Sequence, residues 1–280
     1  MRNRDDWKDE IRSIVERRID ELIRRSEREL LGPGSSLVVR HTRKRCHFIP
    51  AEFRVLGGYL QSLNIRFGRM MENLLDEVVS QLFHLGLTRF TIIERYSRKT
   101  LRLEVEKTCY EAINAYTSGR LIRRDPEELR TIFNKLLDII FDRQNRNRGN
   151  FMQLTCDVDL LMEDEESNVF YFFEMKYCDD HDTGKYQAIN RKFLYTFAGL
   201  VRELRVRSKD MFIPIIYYLE DGLIKYENIF LVEGENVLRG KQLFELIGVP
   251  EVYDVIIEAL NPKRHVKRFQ DILNRVLQKM

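Results

Sequence analysis

Several features are scarce in this sequence of 280 residues. Its four cysteines show no C-x-x-C spacing, so the sequence indicates neither a zinc knuckle nor a disulfide framework, and we expect reduced thiols. No stretch approaches the roughly 20 apolar residues of a membrane span. Met1 to Glu10 is charged instead of apolar, which predicts no secretion signal. We therefore expect a cytoplasmic protein without a membrane partner.

A large excess of one charge is also missing. The formal net charge is only +3, which excludes a polycation but leaves the partner open. The hydrophobic fraction of 44% is sufficient for a packed core, and the charged fraction of 32% exceeds the roughly 25% of an average globular chain. Lysine and arginine gather in short runs, so a basic cleft is compatible with the even balance.

Helical periodicity dominates the first half of the sequence. Apolar residues at helical spacing predict a helix over Trp7–Leu31 and a longer, largely buried one over Ser62–Leu85. Further helices are predicted over Thr100–Ser118 and Pro126–Asp142. Between the second and third helices, Arg89–Tyr96 alternates enough to predict a strand.

The second half begins with a predicted β-hairpin. Met152–Met162 and Val169–Tyr177 are β-rich runs joined by the polar segment Glu163–Asn168. A helix is predicted over Gly184–Leu204 and a buried strand over Met211–Leu219. This succession of strand, helix and strand indicates a crossover onto a mixed sheet.

The tail completes the predicted organisation. It contains a short strand over Ile229–Val232 and helices after Gly240, Pro250 and Pro262. We expect an α/β fold with a central mixed β-sheet flanked by helices and with helical additions at both ends. The predicted regions are an N-terminal helical arm and basic loop (1–61), a core (62–222) with helices inserted at about 100–150, and a C-terminal helical extension (223–280) packed on the core as one domain.

Four charged residues of the hairpin carry the predicted chemistry. Asp157 and Asp159 are expected to share one face of the first strand, and Glu174 and Lys176 one face of the second. Burying carboxylates together at a strand end is costly unless a cation compensates. Mg²⁺ prefers hard oxygen ligands, so these acids and the Met175 carbonyl are the predicted metal ligands. The alternative is a solvent-facing hairpin, in which D-x-D and E-x-K pairs are common.

Lys176 makes the cluster a catalytic prediction. An ammonium beside a bound metal ion and a phosphate can orient an attacking water and stabilise developing charge. We expect the metal and burial to lower the pKa of Lys176, which would let it aid proton removal.

The pattern resembles the PD-(D/E)xK nuclease superfamily, over roughly Asn64 to Leu219. Glu174-Met175-Lys176 matches its E-x-K element, and Asp159, or else Asp157, matches its leading aspartate, although the proline that often precedes that aspartate is absent. Gly68-Arg69-Met70-Met71-Glu72 resembles the opening helix of many restriction endonucleases, so Glu72 becomes a further catalytic candidate. The resemblance implies a helix, a three-strand meander, a helix and a further strand.

With a single nuclease core and no G-x-x-x-x-G-K-[ST] motif, the chain looks like a type II restriction endonuclease. The resemblance implies Mg²⁺, with Mn²⁺ substituting, a homodimer that cuts both strands of a short site in double-stranded DNA, and a cognate DNA methyltransferase in the same system. The alternatives are a structure-specific repair or recombination nuclease and a DNA-binding protein without catalysis.

Basic residues outside the hairpin are the predicted DNA contacts. Lys185 with the first amides of its helix is one candidate, although Asp182 or Thr183 serving as a plain helix cap is an equal alternative. His181 is either a general base or a solvated loop residue. The complete set of predicted DNA-binding residues is Arg40, Arg43, Lys44, Arg45, Arg146, Arg148, Lys185, Lys263, Arg264, Lys267 and Arg268.

Overall fold

A computed structural model describes residues 6–32, 50–118, 125–177, 183–221, 230–261 and 263–279. The chain divides into two compact units. The terminal unit comprises Met1–Gln81 and Glu251–Met280, and the central unit comprises Leu82–Pro250. Within the described ranges, no helix is long and apolar enough to cross a membrane.

The described elements alternate between helices and strands along most of the chain. In order they are α1 (Asp6–Leu31), α2 (Ala51–His84), β1 (Phe90–Ile92), β2 (Lys99–Glu106), α3 (Lys107–Thr117), α4 (Pro126–Gln144), β3 (Phe151–Val158), β4 (Leu160–Asp164), β5 (Val169–Lys176), α5 (Thr183–Leu204), a 3-10 turn (Lys209–Met211), β6 (Phe212–Tyr218), β7 (Val237–Arg239), α6 (Gln242–Leu246), α7 (Glu251–Leu260) and α8 (Lys263–Lys279). The α/β class predicted from the sequence is confirmed.

The terminal unit is built on the amphipathic helix α1, which packs against α7 and α8. Ile11, Val15 and Leu22 recur at helical spacing and are buried, which accounts for the apolar stripe of this highly charged helix. Carboxylates of α1 pair with arginines of α8 in the combinations Glu16–Arg264, Asp20–Arg268 and Glu27–Arg275. Residue numbers increase together in both helices, so α1 and α8 run parallel.

The central unit contains a five-stranded mixed sheet in the order β1-β4-β5-β6-β7. β4 pairs antiparallel with both β1 and β5, whereas β5–β6 and β6–β7 are parallel. Leu161, Phe172, Phe173 and Ile216 are almost fully buried in its middle strands. The predicted hairpin is confirmed in part, since only residues 160–162 of its first strand pair with β5. The helix over Gly184–Leu204 and the following buried strand are confirmed, and these elements together build the centre of the mixed sheet.

A second, two-stranded sheet, here called the ribbon, consists of β2 and β3. Its antiparallel register places Thr100 opposite Asp157 and Leu103 opposite Leu154. The prediction of a helix from Thr100 to Ser118 was therefore wrong over its first part, and α3 begins only at Lys107. Leu101, Leu103 and Val105 alternate with polar residues at a period of two, and pairing with β3 lets that pattern prevail over helical propensity.

Helix α5 packs closely against the apolar side of the ribbon. Gly199 permits this approach, because a Cβ atom at that position would lie 2.6 Å from the Leu103 Cβ. Leu103 and Cys156 of the ribbon join Phe193 and Phe197 of α5 in one buried core. The ribbon is therefore fixed to the helix that follows the predicted catalytic strand.

The structure also corrects two strand predictions. The run Met152–Met162 is two strands in different sheets, β3 and β4, with Asp159 between them. The predicted strand at Ile229–Val232 is also wrong, because the described residues 230–232 are irregular and the short edge strand is β7 at Val237–Arg239. Apolar β-rich composition alone did not reveal where the chain changes its pairing partner.

Candidate active site

Asp159 occupies the single position between β3 and β4. Its Oδ2 accepts a hydrogen bond of 2.8 Å from the backbone N–H of Met175, and its carbonyl accepts one of 3.1 Å from the N–H of Arg98. The side chain is half-buried. The backbone of β5 thus holds this carboxylate beside the middle residue of the E-x-K element, and the residue before β2 holds the Asp159 backbone.

Glu174 and Lys176 lie at the carboxyl end of β5, two residues apart on one face of the strand. The Lys176 Nζ donates a hydrogen bond of 2.7 Å to the Glu174 Oε1. The Glu174 residue is only 6% exposed, so the ammonium compensates a carboxylate that has lost most of its water. The predicted pair is therefore present, and it is formed at a buried strand end.

The charge environment of Lys176 differs from the expectation. Burial lowers the pKa of this ammonium, but the negative charges of Glu174 and Asp159 and the hydrogen bond to Glu174 outweigh burial and raise the pKa above its usual value. The expected lowering is therefore not found in the protein alone. Lys176 is a protonated cation in this arrangement and acts as a charged donor.

Asp157 lies two residues before Asp159, on the exposed side of the ribbon. Its Oδ1 accepts a hydrogen bond of 2.7 Å from the Thr100 hydroxyl, and its Oδ2 accepts one of 2.8 Å from the Lys192 Nζ. The two aspartates thus have different surroundings, although the sequence predicted them on one strand face.

Lys192 is a candidate that the sequence analysis missed. Burial lowers its pKa, but the hydrogen bond to Asp157 and the charges of Glu174 and Asp159 raise it overall. This second ammonium therefore lies in the field of all three acids. Its sequence signal is weak: Lys192, Thr196 and Gly199 recur at helical spacing on the side of α5 that meets the ribbon.

A family model described as the type II restriction endonuclease HinfI matches residues 7–262. This chain belongs to that family. The type II restriction enzyme HinfI of Haemophilus influenzae is 32% identical over 273 residues, which cover 96% of this chain and 98% of the relative. No solved structure matches the chain. The predicted function of a site-specific restriction endonuclease, an enzyme that hydrolyses DNA, is thereby confirmed.

A HinfI-family enzyme binds DNA and, like type II restriction endonucleases generally, needs a divalent metal ion. Across the described part of the chain, no three His, Cys, Asp or Glu side chains are grouped so that they could hold a metal ion by themselves. Mg²⁺ usually takes only one or two protein carboxylates and completes its shell with water and substrate phosphate. The carboxylates of Asp159 and Glu174 are oxygen donors of this kind, so their chemistry fits the ion that the family requires.

The formal charges of the site point the same way. Asp157, Asp159 and Glu174 carry three negative charges, and Lys176 and Lys192 carry two positive ones. One negative charge is left over. A bound divalent cation would change the net charge of the site from negative to positive, which favours binding of a DNA phosphate.

The predicted DNA contacts of this HinfI-family chain fall into several groups. Arg264 and Arg268 form ion pairs with Glu16 and Asp20 inside the terminal unit, and Arg146 pairs with Asp142 at 2.7 Å. Exposed positions are held by Arg148, Lys263 and Lys267. The structure does not describe Arg40, Arg43, Lys44, Arg45 or His181, nor the side chain of Lys185.

Glu72, the predicted contribution of the opening helix, lies half-buried on α2 in the terminal unit. Its role stays a prediction. Of the four cysteines, the described Cys109 and Cys156 are buried free thiols, as expected from their spacing. Burial raises the pKa of the Cys109 thiol to about 12, which makes it a packing residue and not a nucleophile.

Proposed function

We propose that this restriction endonuclease hydrolyses phosphodiester bonds within a short specific site of double-stranded DNA and uses Mg²⁺, with Mn²⁺ able to substitute. One observation carries the proposal: the Lys176–Glu174 hydrogen bond of 2.7 Å lies next to the Asp159 carboxylate, which the N–H of Met175 holds. Two carboxylates that can bind a metal ion, Asp159 and Glu174, thus lie with the Lys176 ammonium at the carboxyl end of β5.

Each residue has a distinct proposed role. Asp159 is the main metal ligand and Glu174 the second, while the Met175 carbonyl and Asp157 complete the candidate ligand set. The bound ion would withdraw charge from the scissile phosphate and acidify the attacking water. Lys176 positions that water by hydrogen bonding and stabilises the charge that develops on the phosphate.

The test compares Glu174→Ala and Lys176→Ala with the wild-type enzyme on phage DNA in Mg²⁺. We expect each variant to lose at least roughly 10²–10³-fold in cleavage rate, because a preorganised group that acts on developing charge contributes about that much. Both variants should still fold and retard a DNA duplex in gel-shift assays. Full activity of either purified variant would contradict the proposal.

Matched controls use charged residues away from the strand end. Glu165 lies in the turn at the other end of the β4–β5 hairpin, and Lys135 is exposed on α4. Glu165→Ala and Lys135→Ala should cut at the wild-type rate. A reproducible set of discrete fragments is the expected product of cutting at one specific site.

We also propose that the enzyme acts as a homodimer in the cytoplasm beside a cognate DNA methyltransferase. Two copies related by a twofold axis would cut both strands of a symmetric site. Sedimentation of the enzyme with and without a cognate duplex measures the assembly directly. A monomer in both states would remove the dimer from the proposal and leave the chemistry of the single site unaffected.

A further inference from the structure

The ribbon has one apolar and one polar face. Its apolar residues face the core, whereas the polar side chains on the opposite face are exposed to solvent at positions 100–104 of β2 and 153–157 of β3. This polar face consists of Thr100, Arg102 and Glu104 on β2 and of Gln153, Thr155 and Asp157 on β3. Register places Arg102 directly opposite Thr155 and Glu104 opposite Gln153.

Helix α5 neutralises both acids of the polar face. Lys192 donates to Asp157 at 2.8 Å, and the Arg202 Nε donates to a Glu104 carboxylate oxygen at 3.0 Å. Arg102, between these two positions on the same face, forms no ion pair with any residue in the described ranges. The middle of the polar face therefore presents a cation between two neutralised acids.

The side chains left in the middle are those that recognise base edges. Arginine can donate two hydrogen bonds to guanine O6 and N7, glutamine can pair with adenine N6 and N7, and threonine contacts either base edges or the thymine methyl group. A two-stranded antiparallel ribbon also has the width that the DNA major groove admits. Both the shape and the chemistry of this face suit direct readout.

The polar face is continuous with the site of hydrolysis. β3 ends at Val158, and Asp159 follows it. At a rise of about 3.3 Å per residue, Thr155 lies about 13 Å and Gln153 about 20 Å from Asp159 along the strand. With about 3.4 Å between successive bases of a strand, that span corresponds to roughly four to six base pairs. The reach matches a short recognition site beside the cut.

We propose that the polar face of the ribbon enters the major groove and that Arg102, Gln153 and Thr155 read bases of the recognition sequence. The inference rests on the proposed DNA cleavage at Asp159 and Glu174 and adds the origin of its specificity. Arg102 is the principal contact, because its planar guanidinium is charged and is not used within the described structure.

The experiment first maps the wild-type cleavage site by sequencing the ends of phage DNA fragments. It then measures cleavage of duplexes that carry each single-base change in that site, with Arg102→Ala, Arg102→Lys, Gln153→Ala and Thr155→Ala. We expect Arg102→Ala to lose roughly 10- to 100-fold of the discrimination at one base pair, which is the range for one bidentate contact. Arg102→Lys should lose most of this discrimination too, because lysine keeps the positive charge but lacks the planar guanidinium that donates two parallel hydrogen bonds.

The control variant is Arg207→Ala. Arg207 is also exposed, but it precedes β6. Because β5 and β6 are parallel, Arg207 lies toward the amino ends of these strands, away from the carboxyl end of β5. The Arg207→Ala variant should keep the wild-type base preference. Circular dichroism and thermal unfolding of every variant exclude misfolding as the cause of a change.

Two results would overturn the inference. One is an unchanged base profile in all the ribbon variants. The other is an equal loss for every sequence, which marks a phosphate contact instead of base readout. Failure of the proposed catalysis gives a different outcome, since Glu174→Ala or Lys176→Ala would then cut phage DNA at the wild-type rate.

Discussion

Two of the antiparallel strand pairs in the central unit, β4–β5 and β2–β3, differ in how much of each pair is buried. Leu160, Leu161, Phe172 and Phe173 of the β4–β5 hairpin are completely buried. The ribbon of β2 and β3 is covered on one face only. The buried pair holds Glu174 in a fixed, weakly hydrated position, while the half-covered pair leaves polar side chains accessible. The hairpin thus gives the candidate catalytic residues a rigid position, and the ribbon of the same unit leaves its polar side chains accessible to a ligand.

Removing a core side chain from the hairpin should have the largest effect. Phe172 is fully buried and stacks on Phe193 of α5 with ring centroids 5.2 Å apart. We expect Phe172→Ala to lower the free energy of unfolding by about 3–5 kcal/mol, because it removes a large apolar group and leaves a cavity. Urea unfolding measures the change.

The matched variant on the ribbon is Gln153→Ala. It should change the free energy of unfolding by no more than about 0.5 kcal/mol, since Gln153 is exposed. If the two substitutions had equal effects, the contrast between a buried and a half-covered strand pair would be wrong.

Gly199 tests how the ribbon is attached to α5. A helix gains about 1 kcal/mol when glycine becomes alanine, but the new Cβ would lie 2.6 Å from the Leu103 Cβ, and overpacking costs about 1–3 kcal/mol. We expect Gly199→Ala to destabilise the enzyme by about 1 kcal/mol in the same urea assay. Adding Leu103→Ala should cost less than the sum of the two single changes. If the two changes in the free energy of unfolding were additive, there would be no steric conflict between the Cβ atom that Gly199→Ala introduces and Leu103.

Lys192 lies where the two strand pairs meet, and its removal should affect catalysis more than stability. We expect Lys192→Ala to slow cleavage roughly 10-fold, because the 2.8 Å hydrogen bond to Asp157 is partly exposed to solvent and a tenfold change corresponds to about 1.4 kcal/mol. Single-turnover cleavage measures the rate, with Lys135→Ala as the control. A loss as large as that of Lys176→Ala would place Lys192 directly at the reacting phosphate.

The E-x-K element and its strand were predictable because their signal is local. Val169 to Phe173 is an apolar run, and Glu174 and Lys176 follow it with the period of a strand. The long helices and the buried strand before Leu219 were predictable for the same reason. Local periodicity also gave the correct α/β class.

The ribbon was missed because two periodicities overlap there. Leu101, Leu103 and Val105 alternate, but Cys109 and Ile113 follow at helical spacing, so the sequence predicts one helix for the whole segment. Only pairing with β3, which lies far along the chain, separates them. The role of Lys192 depends likewise on tertiary contacts, since no local pattern joins it to Asp157.

The position of Asp159 has a consequence for how this region can vary in length. Val158 is paired with Lys99 in the ribbon, and Leu160 is paired with Phe173 in the hairpin, so one residue connects two fixed registers. An inserted or deleted residue would displace the carboxylate by about 3.3 Å or reverse the face of every following side chain. The polar turn at residues 165–168 can absorb such a change, whereas the connection through Asp159 has no spare length.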